Sequence, residues 1–352
     1  WRAPVTFTSD WTPQVEPEDV LDLSGVDLLR PPGFVGDVAA WINQQSLFPR
    51  ETLAVAAALM AVSNCGGMRY VDPLDNSSFN LFCFGVADSS TGKEAILQAH
   101  NDLIRAAGLS PALVGGIKSE QEIYRNLIRH QAAFYAIDEL GEVFAKITSA
   151  RSRGGAVYLE GVIGTLMSIY SKSNSFVAVT GDLKEEIKRS LMAEYERLNK
   201  KVTDNEDSDG ACAAKRARVQ AQLHTVDMGI ENPFLSIFGV TTPEKFNALM
   251  DFDMAANGFM GRALLFREME KNPRIKPRAM RKRGPVPDAM QQSLLNLYAP
   301  GQSDMMEGRI ERIGDKAPIT TTEDAAKALD LVGEAFWESA EEQKELTGLH
   351  PI

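Results

Sequence analysis

The residues best suited to chemistry lie in the stretch Phe79–Glu94, where an apolar run leads into a small-residue loop ending in Gly92-Lys93. A strand, a tight loop and a helix N-terminus form a phosphate site, because loop N–H groups and the helix dipole face the anion. A lysine at the end of such a loop reaches the outer phosphates. We therefore expect a nucleoside triphosphate here, with contacts from Ala87, Asp88, Ser89, Ser90, Thr91, Gly92, Lys93 and Glu94.

Two positions of this loop depart from the usual Gly-x-x-x-x-Gly-Lys-Ser/Thr pattern. Ala87 stands at the position of the first glycine, although Gly85 lies two residues earlier. Glu94 replaces the hydroxyl residue that normally binds magnesium, which leaves coordination of the metal open. An ordinary strand-to-helix turn with an incidental lysine is the alternative interpretation of the same residues.

An acidic pair, Asp138-Glu139, follows the apolar run Ala132–Ile137, which predicts a buried strand that ends in two carboxylates. In P-loop NTPases an aspartate at such a strand end holds magnesium, directly or through water. A glutamate that follows it can polarise the attacking water. We therefore assign magnesium binding to Asp138 and a catalytic role to Glu139.

Two further positions would complete a hydrolytic site. Thr241 ends a second apolar run, where a sensor would touch the terminal phosphate or the water. Capping of the next helix, together with Thr242, is the alternative role. Arg262 lies in a glycine-bounded turn before the apolar run Ala263–Phe266 and is a candidate arginine finger, from its own or a neighbouring subunit. A surface salt bridge is the alternative for this arginine.

In their order and spacing these stretches resemble a family of P-loop ATPases found in phages, prophages and plasmids. The family has a RecA-like helicase core and was long catalogued as a domain of unknown function. The resemblance covers about residues 36–345 and rests on Ser90-Thr91-Gly92-Lys93, Ile137-Asp138-Glu139 and the segments 232–244 and 257–262. It implies ATP and Mg²⁺ as cofactors and a replicative or primase-helicase-like role as a homo-oligomer, such as a hexameric ring.

Two basic stretches are candidates for single-stranded or forked DNA. The segment Lys271–Arg283 carries seven Lys or Arg residues and two prolines, which favours an extended strip along a phosphate backbone. The segment Arg151–Gly155 is predicted to be a loop, and the resemblance to RecA-like rings implies that it faces the central channel. A solvated charged loop is the alternative for the longer strip. The proposed contacts are Arg151, Arg153, Lys271, Arg274, Lys276 and Arg278.

The alternation of strand-like and helix-like segments predicts an α/β fold, with a RecA-like core and a mostly parallel sheet flanked by helices. We expect three regions: an N-terminal arm and helical segment at 1–66, an ATPase core at 67–284, and a helical and hairpin extension at 285–352. Charged segments at 183–228 predict a helical hairpin inserted into the core. Ser119 and Glu122 form a predicted capping box for the helix before the acidic strand.

Composition excludes several classes of protein. No apolar run approaches the roughly 20 residues that span a bilayer, so we expect no membrane partner. The three cysteines are widely spaced, which favours the reducing cytoplasm, that of a bacterial host if the chain is phage-encoded. A net charge of −11 argues against a uniformly basic surface but allows a local basic strip.

Three functions are compatible with these features. The first is an ATP-driven motor on DNA, an oligomeric helicase of a mobile element. The second is a nucleotide-responsive loader, regulator or scaffold with little turnover, which Glu94 favours. The third is a nucleotide kinase or another small-molecule phosphotransferase, which the absence of an acceptor-site motif disfavours.

Overall fold

The computed structural model describes residues 27–73, 76–152, 160–179, 181–204, 210–249, 258–269, 274–277, 283–298 and 316–347. Leu28–Ile319 belong to one compact unit, whereas the long helix Glu323–Thr347 belongs to another. The predicted boundaries after residues 66 and 284 therefore both fall inside a single unit.

A five-stranded parallel sheet forms the centre of the larger unit, in the order β3-β4-β7-β2-β8. Its strands are β2 (Phe82–Val86), β3 (Leu113–Val114), β4 (Ala132–Ile137), β7 (Phe234–Thr241) and β8 (Ala263–Arg267). Every residue of β2, β4 and β7 is buried, as expected when helices cover both faces of a parallel sheet. The predicted α/β fold with a mostly parallel, helix-flanked sheet is thus confirmed.

Helices connect successive strands, so the carboxyl ends of all five strands lie at one edge of the sheet. The connecting helices are α3 (Lys93–Ala106), α4 (Glu120–His130), α5 (Leu140–Ser152), α6 (Glu160–Ser171) and α9 (Pro243–Leu249). The Glu122 amide donates to Ser119 Oγ at 3.2 Å, which confirms the predicted cap of α4. This carboxyl edge is where ligands bind in open parallel sheets.

One face of the sheet packs against α1 (Gly33–Gln45), α2 (Glu51–Gly66), α3 and the helix Asp288–Tyr298. The other face packs against α4, α5 and α6. Helix α2 is alanine-rich and buried on nearly all sides, which allows it to approach the sheet closely. A Cβ added at Gly85 of β2 would lie 2.8 Å from Leu53 Cδ2, so the glycine is needed for this contact.

The predicted inserted hairpin consists of α7 (Gly181–Thr203) and α8 (Ala211–Met228), which pack against each other. Lys188 pairs with Asp227 at 2.8 Å, and Lys215 pairs with Glu194 at 3.2 Å, as an antiparallel arrangement requires. At the base of the hairpin, β5 (Phe176–Val177) pairs with β6 (Ile230–Glu231), outside the central sheet.

A second short pairing joins β1 (Tyr70–Val71) to β9 (Ala317–Pro318) in parallel. Lys316, immediately before β9, donates to Ser78 Oγ at 2.9 Å and to Asn174 Oδ1 at 2.6 Å. The C-terminal part of the unit is thereby attached to the sheet domain. Across the described ranges, no helix combines the length and apolarity needed to cross a bilayer.

Candidate functional site

The loop between β2 and α3 lies at the carboxyl edge of the sheet and contains two left-handed residues. Ser90 has φ +59° and Gly92 has φ +90°. Such an alternation turns successive N–H groups toward one side and forms an anion-binding nest. Gly92 also packs closely against Ser46, because a Cβ at position 92 would lie 2.8 Å from Ser46 Oγ.

The backbone amides of this loop face no protein acceptor. Within the described part of the chain, the N–H groups of residues 88–94 make no hydrogen bond. The Lys93 ammonium group instead folds back and donates to the carbonyl oxygens of Ala87 and Asp88, each at 2.8 Å. Thr91 Oγ1 donates to the same Asp88 oxygen at 2.5 Å. The hydrogen bonds that hold the loop in shape therefore use its carbonyl oxygens, while its backbone N–H groups remain available to a ligand.

The charges of the acidic pair act on the lysine of this loop. The pKa of Lys93 is lowered, first because burial disfavours the ammonium form. The charges of Glu139 and Asp138 act in the opposite direction, and Arg50 adds to the lowering. The lysine therefore experiences both predicted acidic residues and a second cation.

Strand β7 lies between the loop strand β2 and the acidic strand β4. Neighbouring strands are about 4.8 Å apart, so the ends of β2 and β4 are separated by about 10 Å across the sheet. Asp138 is exposed at the end of β4, and its Oδ1 accepts from the Glu139 amide at 3.0 Å. Glu139 has φ +55°, which turns the chain sharply into α5. The loop and the acidic pair thus lie on either side of the end of β7, and we refer to the space between them as the cleft.

Thr241 ends the strand that separates these two elements. Its carbonyl oxygen accepts from the Ala87 amide at 3.1 Å. The side chain is fully buried, and among the described residues Oγ1 has no hydrogen-bond partner. A Cβ at Gly141, at the start of α5, would lie 2.6 Å from this hydroxyl oxygen. The structure thus places an unsatisfied hydroxyl between the loop and the acidic pair.

Lys245 on α9 is a site residue that the sequence analysis missed. Its Nζ lies 2.6 Å from Glu139 Oε2 and 2.8 Å from Glu142 Oε1. The two carboxylates raise the pKa of Lys245, with Glu139 the larger cause, and Lys245 lowers the pKa of Glu142. No local pattern in the sequence could have paired residues so far apart in the chain.

Arg50, at the start of α2, is a second residue that the sequence analysis missed. The side chain is fully buried, and its Nε donates to the carbonyl oxygen of Thr91 at 2.8 Å. Its amide donates to Asn43 Oδ1 at 2.9 Å. A buried guanidinium therefore connects the α1–α2 turn (residues 43–50) to the loop.

Arg262 does not lie near the loop of its own chain. Strands β8 and β2 are parallel and Ala263 pairs with Phe82, so Arg262 precedes β8 at the amino edge of the sheet. Its Nη1 donates to the carbonyl oxygen of Gly258 at 2.8 Å. The expectation that Arg262 acts on a nucleotide of its own subunit is therefore wrong, because the length of the sheet separates the two.

The predicted nucleic-acid contacts occupy different environments. Lys276 Nζ donates to Asn43 Oδ1 at 3.3 Å and to the carbonyl oxygen of Ser46 at 3.1 Å, and burial lowers its pKa. This ammonium is committed to the α1–α2 turn, so the prediction that it contacts a phosphate backbone is corrected. Arg274, by contrast, is exposed.

One of the remaining predicted contacts lies in a helix, and three lie outside the described residues. Arg151 lies within α5, which corrects the prediction of a loop at this position. Arg153, Lys271 and Arg278 lie outside the described residues.

The residues of the cleft fit a polyphosphate better than an isolated metal ion. The free amides, Lys93 and the unsatisfied Thr241 hydroxyl suit phosphate oxygens. No cluster of three or more His, Cys, Asp or Glu side chains occurs within the described ranges. Magnesium would therefore need phosphate oxygens beside Asp138. Glu94 is exposed in the first turn of α3, where it offers a carboxylate in place of the usual hydroxyl.

Comparison of this chain with protein-family models, curated proteins and solved structures finds no match. The candidate site is therefore defined by the geometry of the cleft alone. Its three components are the loop with free amides, the acidic pair and the hydroxyl between them.

Proposed function

We propose that this protein binds and hydrolyses ATP in the cleft between the loop Ala87–Glu94 and the pair Asp138-Glu139. The observation that carries this proposal is the convergence of two elements at one edge of the sheet. One is a loop whose amides have no acceptor among the described residues, and the other is an acidic strand end, with one strand, β7, between the two. An incidental lysine in a strand-to-helix turn would not explain why the charges of both acidic residues act on its ammonium group.

The roles follow from the chemistry of each group. The amides of the loop and Lys93 neutralise phosphate charge, and Asp138 would hold Mg²⁺, which supplies Lewis-acid stabilisation when bound. Glu139 orients a water molecule and accepts its proton. Thr241 donates its hydroxyl hydrogen toward the terminal phosphate or that water. Arg50 maintains the shape of the loop through Thr91.

We further propose that hydrolysis drives a motor on DNA, in the manner of the phage and plasmid ATPases that the motifs resemble. Arg262 lies at the opposite edge of the sheet, so an arginine-finger role would have to act on another copy of the chain. We therefore propose an oligomer in which the arginine of one subunit completes the site of its neighbour. Exposed Arg274 is the described candidate for a phosphate-backbone contact.

The test is ATP hydrolysis with and without single-stranded DNA, compared between the unchanged protein and Lys93→Met. We expect DNA to stimulate turnover and the variant to lose at least a hundredfold in rate, as is typical when a group that stabilises transition-state charge is removed. Lys118→Met is the matched control, because Lys118 is exposed on a surface turn. Equal rates in Lys93→Met and Lys118→Met would contradict the proposal.

A nucleotide-responsive module with little turnover is the second candidate. It is favoured by Glu94 at the magnesium position and by the ion pair that holds Glu139 to Lys245. Tight nucleotide binding without DNA-stimulated hydrolysis would support this function. Glu94→Ser separates the two candidates further, since a restored hydroxyl should raise magnesium-dependent hydrolysis only if the remaining machinery is competent.

A further inference from the structure

Lys245 lies beside Glu139, the carboxylate that the proposed function makes catalytic. Its Nζ bridges Glu139 and Glu142 at 2.6 and 2.8 Å, and its side chain is 38% exposed. Glu139 is the residue to which the proposed function assigns the attacking water. The proposed catalytic carboxylate is thus held in an ion pair in this structure.

The backbone holds this lysine firmly beside the cleft. Helix α9 begins at Pro243 directly after β7 ends, and Thr242 Oγ1 accepts from the Lys245 amide at 3.4 Å. Gly141 leaves no spare room, because an added Cβ would lie 2.7 Å from Lys245 Cβ. The lysine stem is therefore fixed against the start of α5, while its long side chain can redirect the amine.

We propose that Lys245 is a phosphate-sensing positioning residue, which holds Glu139 when no terminal phosphate is bound and transfers to that phosphate when a triphosphate enters. This inference rests on the proposed function. It adds a specificity role, since Lys245 then distinguishes a nucleoside triphosphate from a diphosphate.

The exchange is physically reasonable because the ion pair is weak and the competing anion is strong. An exposed ion pair contributes little to stability, since water screens both charges. A terminal phosphate offers more charge and several acceptor oxygens within the same cleft, and charge-assisted hydrogen bonds to it are short and strong. When the Lys245 amine transfers to the phosphate, the Glu139 carboxylate is released and can accept a proton from water.

The test measures binding rather than turnover. The affinities for ADP and for a non-hydrolysable imido analogue of ATP are compared by fluorescence titration in the unchanged protein and in Lys245→Met. We expect the variant to bind ADP normally but to lose about tenfold in its preference for the triphosphate analogue. Lys245→Arg should keep most of the preference, because the positive charge and its donors remain.

Glu142→Gln is the matched control, since it removes the negative charge of one partner of Lys245 but leaves the contact to Glu139. It should leave the preference unchanged within about twofold. Normal binding with the same preference in Lys245→Met overturns this inference while leaving the proposed function in place. Failure of the unchanged protein to bind either nucleotide overturns the proposed function and the sensing role together.

Discussion

His100 is expected to make the protein less stable in mild acid. The ring is fully buried on α3, where Nδ1 lies 3.1 Å from Asn101 Oδ1 and Nε2 lies 3.4 Å from Asn64 Nδ2. Asn64 Oδ1 accepts from Ser236 Oγ at 2.5 Å, which leaves the Asn64 amide donors for the ring. The network therefore assigns an acceptor role to Nε2 and the proton to Nδ1. A second proton would face a donor in a buried site.

The size of the effect follows from the pKa shift. Burial lowers the pKa of His100 from 6.5 to about 4, although the hydrogen bond to Asn101 opposes the shift. Above about pH 6.5 the imidazole is neutral in both states, and no penalty arises. Below that value His100 is protonated in the unfolded chain but stays neutral in the folded protein, so the free energy of unfolding falls as the pH falls. The loss in free energy of unfolding is about 2 kcal/mol at about pH 5 and about 3 kcal/mol near pH 4.

Urea denaturation followed by circular dichroism at about pH 7.5 and about pH 5 measures this loss. The unchanged protein should lose about 2 kcal/mol more than His100→Gln between the two conditions. Some pH dependence should persist in the variant, because burial, Arg129 and Arg218 also lower the pKa of His130 to about 4. His224→Gln serves as the control, because His224 is exposed. An identical pH dependence in His100→Gln and the unchanged protein would refute the argument.

Three further predictions concern the cleft and the basic strip. Gly92→Ala should destabilise the protein by about 1–2 kcal/mol and weaken nucleotide binding, since φ is +90° and the new Cβ would crowd Ser46; urea denaturation and nucleotide titration measure both effects. Thr241→Val should stabilise the protein by about 1 kcal/mol while slowing ATP hydrolysis, because the hydroxyl is buried without a partner in the described structure; unaltered turnover would argue against a sensor. Lys276→Met should lower the melting temperature in thermal melts, because its amine holds the α1–α2 turn. Arg274→Met should leave the melting temperature unchanged, since Arg274 is exposed, and should reduce the salt dependence of DNA binding by about one phosphate contact in a salt titration. Equal effects of the two variants on both measurements would contradict this assignment.

Local patterns predicted the elements of the sheet because burial and hairpin turns leave a local signature. The apolar runs before the loop and before Asp138 became β2 and β4, with β4 at Ala132–Ile137 as predicted. The Ser119 cap and the charged hairpin also have short-range causes, namely side-chain capping and helical charge spacing. These features require no knowledge of which distant segments meet.

The contacts that shape the cleft could not be predicted in the same way. Arg50 and Thr91 lie far apart in the chain, as do Lys245 and Glu139, and only the order of the strands brings each pair together. Lys276 illustrates the opposite error. A lysine in a basic, proline-containing segment is typical of an exposed strip, yet its amine is used to hold the α1–α2 turn. The sequence shows that a segment is basic, whereas the tertiary fold determines whether each basic side chain binds a ligand or another part of the chain.

Lys93 gives the clearest physical reason to expect an anion in the cleft. Its side chain is buried, and its amine bonds only to the carbonyl oxygens of Ala87 and Asp88 among the described residues, without a carboxylate at ion-pair distance. A buried ammonium in this situation is costly, as the lowered pKa of Lys93 reflects. Neutral carbonyl groups offset part of that cost, whereas a polyphosphate would offset more and would also satisfy the free loop amides. A polyphosphate bound as we propose would therefore stabilise this buried ammonium group.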